Sequence, residues 1–134
     1  MRSCDAAGID ALIVCDERTD IYNPNTIRSG IGCLFTVQLA IATSSETLAY
    51  LKSKNIKSYA AALTAKDFYQ NMNYQDATAI IMGTESTGLS DFWLKNAYTQ
   101  IKIPMSGKID SLNVSTSAAI LIFEAMRQRN FRKI

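Results

Sequence analysis

Short apolar runs alternate with longer amphipathic stretches along this chain of 134 residues. Residues 9–15, 36–42, 56–62, 77–82 and 99–103 are apolar runs of strand length and predict buried strands. Residues 25–32, 44–54, 65–71 and 90–97 read as helices or helical turns. Ser44 is the expected cap of the second of these, with Thr47 in its first turn. A closing helix is predicted over 114–129, where Ala118, Ala119, Leu121, Ile122, Ala125 and Met126 make a broad apolar face. Such breadth calls for packing on more than one side. Strands separated by helices predict an α/β fold, a mostly parallel sheet with helices on both faces. With no repeat, low-complexity tract or linker, residues 1–134 are expected to form one domain around one core.

Two strand-to-helix junctions carry more than ordinary punctuation. In the first, Ala79-Ile80-Ile81-Met82 runs into Gly83-Thr84-Glu85-Ser86-Thr87-Gly88-Leu89-Ser90. Gly83 and Gly88 permit sharp turns, and Ser90 with Asp91 reads as a cap and first turn. In the second, Ile101-Lys102-Ile103 stops at Pro104, crosses Gly107 and delivers Ser111-Leu112-Asn113 onto the closing helix. Proline lacks the donor that a strand ladder needs. Taken alone, Asn113 reads as an ordinary N-cap and Glu85 as an acceptor for its own loop's N–H groups.

Together the two junctions resemble the second and third motifs of the SpoU/TrmH family of RNA ribose 2′-O-methyltransferases, within the SPOUT superfamily. The resemblance implies a deep trefoil knot in the last third of the chain, which periodicity cannot reveal. It also implies S-adenosylmethionine as cofactor, tRNA or rRNA as substrate, and a homodimer. By resemblance Gly83, Ile103 and Leu112 contact the cofactor, partly through backbone groups, and Thr43 and Leu63 line the adenine pocket. Arg2 matches the family's catalytic arginine, and Glu85, Ser111 and Asn113 match its other functional polar positions. For Met82, Ile103, Met105 and Leu112, plain core packing is the competing role.

The family's first motif is represented only by its tail, Met1-Arg2-Ser3-Cys4-Asp5-Ala6-Ala7-Gly8. Its asparagine and preceding strand are absent from this sequence. The expectation is therefore a domain shortened at its start, which binds cofactor and methylates RNA weakly or not at all. Asn23-Pro24-Asn25 with Arg28-Ser29 imitates a second copy of that motif, but fits a later family segment leading into the strand over 36–42.

Composition narrows the alternatives. The chain is 48% hydrophobic and 19% charged, ordinary for a globular protein. No apolar run reaches membrane-spanning length, and the opening residues lack a secretory pattern. Cys4, Cys15 and Cys33 have no metal-ligand spacing and there are no histidines, so neither a metal site nor a Ser-His-Asp mechanism is expected. A cytoplasmic protein with reduced cysteines is the simplest expectation. A net charge of +2 does not itself mark a nucleic-acid binder. The clusters Lys52, Lys54, Lys57 and Arg127, Arg129, Arg132, Lys133 read first as solvated faces. Two other function classes remain beside the methyltransferase: a SPOUT-like module that holds RNA or dimerises without catalysis, and a flavodoxin-like nucleotide binder. The last lacks any Gly-x-Gly-x-x-Gly or phosphate loop.

Overall fold

The computed structural model describes residues 1–16, 21–30 and 32–132, and the chain divides into two compact units, Met1–Thr47 and Leu48–Ile134. The first unit opens with α1 (Arg2–Ala7), a helix that the apolar pattern did not announce. It ends because Gly8 adopts the left-handed conformation, φ 61°. The Gly8 amide then donates to the Asp5 carbonyl and the Ile9 amide to the Cys4 carbonyl, closing the helix end. Strand β1 (Leu12–Cys15) pairs in parallel with β2 (Leu39–Ala42), Leu12 opposite Leu39. Between them lies α2 (Pro24–Gly30). Asn23 Oδ1 accepts the Thr26 amide, and Pro24 occupies the first turn, where its missing N–H costs nothing. The Asn-Pro pair that imitates a methyltransferase motif is thus a helix start. Residue 31 of the helix expected over 25–32 lies outside the described residues. The strand expected over 36–42 is shorter, because Cys33–Phe35 forms a 3₁₀ turn before it.

The division between the units falls within α3 (Ser44–Ser53). Its cap is Thr43 rather than Ser44. The Glu46 amide donates to Thr43 Oγ1 and the Thr43 amide donates to Glu46 Oε2, a reciprocal capping box. Ser44 instead uses its hydroxyl on Asp16 Oδ2.

The second unit holds a four-stranded sheet in the order β4-β6-β3-β5, all strands parallel. Its members are β3 (Lys57–Ala61), β4 (Asp67–Phe68), β5 (Thr78–Ile81) and β6 (Thr99–Lys102). The parallel pairing expected from the sequence is present, distributed over two sheets. The helix or helical turn expected over 65–71 is formed only at its end. Asp67 and Phe68 pair with Ile101 and Lys102 along the edge of β6, and Tyr69–Asn71 makes only a 3₁₀ turn. Edge pairing satisfies backbone groups that a one-turn helix would have left open.

Ile101 lies between Ala61 on one side and Asp67 on the other. The five residues 62–66 therefore cross one face of β6, where an ordinary parallel connection uses a dozen or more. The helices of this unit are α4 (Asp91–Asn96) and α5 (Val114–Gln128). The core gathers Tyr59, Tyr74, Ile101, Leu121 and Ala125, the last two one turn apart on α5. Tyr74 is fully buried and meets the Tyr59 ring edge-on at 4.8 Å. Buried phenols need partners: Tyr74 donates to the Tyr69 carbonyl at 2.8 Å and Tyr59 to the Asn73 carbonyl at 2.9 Å. Burial pushes the Tyr74 phenol well above its ordinary range, so it stays a neutral donor.

The end of α5 grips the loop that carries Tyr74. Gln128 accepts from the Tyr74 amide and donates to the Met72 carbonyl, while Arg129 donates to the carbonyls of Tyr74 and Asp76. Glu124 organises this end by accepting from Arg127 and Gln128. Of the basic tail cluster, Lys133 lies outside the described residues. Hydrogen bonds from Arg127, and then from Gln128, hold the Glu124 carboxyl below the usual carboxylate range. A carboxyl depressed in the folded state stabilises above its unfolded pKa, and that contribution disappears as pH falls through the folded value. Glu124→Gln should therefore reduce stability at neutral pH and flatten the acid limb of urea-melting midpoints between about pH 5 and 3. An unchanged acid limb would remove Glu124 from this role.

Candidate active site

Three neighbouring strands of the second unit, β6, β3 and β5, end side by side because they are parallel. Their exits carry Ile103, Leu63 and Gly83 respectively. Ligand sites in parallel sheets gather at such carboxyl ends.

After β5 the chain makes a tight turn. Thr84 and Gly88 exchange both backbone hydrogen bonds, at 3.1 and 2.9 Å, and Gly88 sits at φ 68°. Thr84 Oγ1 accepts the Thr87 amide at 3.2 Å and bonds Thr87 Oγ1 at 2.7 Å. These threonines escaped the reading of candidate residues; their signal was the Thr-x-x-Thr spacing between two glycines. Gly83 is required at its place for a different reason than turning. A Cβ there would fall inside the backbone of Gly88 and Leu89, far closer than van der Waals contact allows.

Glu85 projects from this turn and meets the second junction. Asn113 Nδ2 donates to Glu85 Oε1 at 2.6 Å, while Asn113 Oδ1 accepts the Ser115 amide at 2.8 Å and caps α5. Asn113 is thus both an N-cap and a link between the two loops. Glu85, placed at the start of a fifteen-residue helix, complements the positive end of its dipole. Ser111 is exposed, its hydroxyl 3.3 Å from Asp110 Oδ1.

The loop between β6 and α5 keeps its polar backbone open. Among the described residues, the amides and carbonyls of 104–112 make no hydrogen bond. Leu112 is 40% exposed and Leu63 61%. Apolar side chains beside unengaged backbone groups suit a ligand that is flat, apolar on its faces and polar at its edges. Ile103 and Met82 are partly buried against the core cluster, so packing accounts for part of their role. Arg2 and Thr43 belong to the first unit; Arg2 is exposed on α1 and Thr43 is engaged in the capping box. Among the described residues no cluster of His, Cys, Asp and Glu could hold a metal.

The family model of the SpoU rRNA methylases matches residues 1–123. The chain belongs to this family. It is 32% identical over 123 residues to the 23S rRNA (guanosine(2553)-2'-O)-methyltransferase RlmP of Bacillus subtilis, covering 92% of this chain and 50% of that protein. A solved RNA 2'-O ribose methyltransferase is 43% identical, with TM-score 0.87 over 96% of this chain and 50% of that one. The SpoU methyltransferase AviRb of Streptomyces viridochromogenes, solved in complex with AdoMet, gives TM-score 0.89 at 28% identity. That match covers 96% of this chain and 52% of AviRb. The chain spans about half the length of the curated relatives it matches. The α/β fold with parallel sheets is that of SpoU methyltransferase structures.

Gly83→Ala should force the turn apart from Leu89 and destabilise the second unit by about 1–3 kcal/mol. Asn113→Ala should cost about 1 kcal/mol through the lost cap and release Glu85. Urea denaturation measures both. A Gly83→Ala protein as stable as the parent would contradict the close approach described here.

Proposed function

We propose that the chain forms the cofactor-binding part of an RNA ribose 2′-O-methyltransferase, taking S-adenosylmethionine at the loops after β3, β5 and β6. The observation that carries this reading is the 2.6 Å bond from Asn113 to Glu85, which ties the second and third motifs into one site. Leu63, Ile103 and Leu112 would hold the adenosine, with backbone groups of 104–112 meeting its polar edges. The Gly83 turn would set the wall of the pocket. AviRb is solved with AdoMet, and RlmP acts on 23S rRNA; rRNA is accordingly the favoured RNA, with tRNA the second choice. The crossing of β6 by 62–66 supports the trefoil knot expected from the motifs. A cytoplasmic site of action suits an RNA-modifying enzyme, and no helix among the described residues is long and apolar enough to cross a membrane.

Bound S-adenosylmethionine supplies an electrophilic methyl carbon. The protein's contribution is to fix the ribose hydroxyl in line and to stabilise charge as it develops. Arg2 is the residue assigned to that hydroxyl. A guanidinium is a cation near neutral pH, so Arg2 would stabilise the oxygen as negative charge develops, while the hydroxyl proton passes to an RNA phosphate or to water. Ser111 and Asn113 orient substrate and cofactor, and Glu85 holds Asn113 in place. Phe123 and Phe131, 40% and 63% exposed beside the half-buried Met126, support a homodimer through the outer side of α5. Light scattering at tens of micromolar should return twice the chain mass.

Calorimetry should detect one S-adenosylmethionine or S-adenosylhomocysteine per chain, with micromolar affinity near −8 kcal/mol (about). Leu112→Arg should abolish it by placing a charge among apolar contacts. No heat and no spectral change with either ligand would overturn the cofactor assignment. Arg2→Ala should leave cofactor affinity unchanged and lower methyl transfer to RNA by about 100-fold. Cofactor binding with no methyl transfer even when the first-motif residues are restored upstream would identify the non-catalytic module instead.

A further inference from the structure

The second unit carries a groove of about 340 Å³ at the end of its sheet opposite the motif loops. Leu51 and Lys52 of α3, Asn55 after it, Lys57 at the start of β3, Asn96 at the end of α4 and Tyr98 just before β6 line it. These positions precede or begin the parallel strands, whereas Gly83 and Ile103 follow them. A strand of five residues separates the two ends by roughly 15 Å. The groove is therefore distinct from the site described above.

Its chemistry is specific. Tyr98 forms one wall and is 64% exposed. The Tyr59 ring packs against it in a T-shaped arrangement at 5.9 Å, which restricts its orientation. Lys57 Nζ lies over the Tyr98 ring, 5.5 Å from its centroid, and 3.5 Å from Asp76, so its charge is partly matched and a base would stack beside the ammonium. Lys52 is exposed and has no ion-pair partner among the described residues, and neither does neighbouring Lys54. The Asn55 side chain makes no hydrogen bond among the described residues; Asn96 donates to the Phe92 carbonyl and keeps its own amide oxygen open. The floor, including Leu51, is apolar. The combination is a stacking wall, two amides able to read an edge, and cations on the rim. A basic residue near the end of α3 also offsets the helix dipole. That role alone does not account for an exposed, fixed aromatic ring beside open amides.

We propose that this groove binds one unstacked nucleotide of single-stranded RNA, the base against Tyr98 and the phosphate on Lys52 and Lys57. The inference rests on the reading that the chain works on RNA, and adds a second contact remote from the methylated ribose. Single-stranded RNA is recognised by bases splayed onto aromatic faces and by cations along the backbone, and the groove offers both within one lining. The lysine cluster read from sequence as a solvated face thereby acquires a role.

Fluorescence anisotropy with a short labelled oligoadenylate, on the whole chain, tests this. Tyr98→Ala should weaken binding by about 5- to 100-fold, and Tyr98→Phe should retain it. Lys52→Gln should weaken binding and lower the slope of log affinity against log salt by about 1. Because Tyr98 touches Tyr59, circular dichroism must show that the alanine variant folds; Lys52 lies outside the core and serves as an independent variant if it does not. S-adenosylhomocysteine affinity should be unchanged in Lys52→Gln and Tyr98→Phe. If the parent binds the oligonucleotide and Lys52→Gln and folded Tyr98→Ala bind it equally well, the groove assignment is wrong and the RNA reading stands. If the parent binds cofactor but no RNA at low salt, the groove and the RNA reading fall together.

Discussion

The second unit depends on one pairing constraint: β6, late in the chain, occupies the place between β3 and β4. Ile101 at its centre has no exposed surface and is flanked by Ala61 and Asp67. Filling that slot leaves residues 62–66 crossing β6 and aligns the exits of β3, β5 and β6 at one end. The loops that follow these strands are thereby brought together, although twenty to forty residues separate them in sequence. Local propensity has no means of specifying that arrangement. Backbone ladder bonds do, because each buried amide and carbonyl of β6 finds a partner only in that register.

Once the loops meet, small features fix their geometry. The absence of a side chain at Gly83 lets Leu89 approach, the two threonines close the turn, and Glu85 is held where it reaches Asn113. Asn113 is anchored in turn as the cap of α5, whose Leu121 and Ala125 lie in the core. The polar link at the candidate site is thus supported by apolar burial about two to three turns along the same helix. At its far end α5 secures the Tyr74 loop through Gln128 and Arg129. A short set of hydrogen bonds placed on rigid elements gives the preorganisation that positioning chemistry requires.

The two units contribute different things to the functional reading. The second contains the motif loops and the apolar groups suited to adenosine. The first contributes Arg2, on a helix ended by Gly8, and Thr43, which is spent on capping α3. Family membership rests on residues 1–123 and so spans both. The match takes in about half of the relatives' length.

The sequence determined the elements whose signals are local. Apolar runs marked the cores of β1, β2, β3, β5 and β6, and Asn113 before an apolar stretch marked the start of α5. The motif spacing identified the family, and the comparisons bear that out. It missed α1, whose six residues have little apolar periodicity, and it mistook β4 for a helix because a two-residue edge strand has no period of its own. It placed the α3 cap one residue late, since Thr43 and Ser44 are both good caps and only the reciprocal bond to Glu46 distinguishes them. Strand order, the crossing of β6, and the Glu85–Asn113 contact were decided by tertiary structure alone. Periodicity reports which face of an element is buried, whereas pairing order and side-chain contact depend on which distant segment supplies the partner.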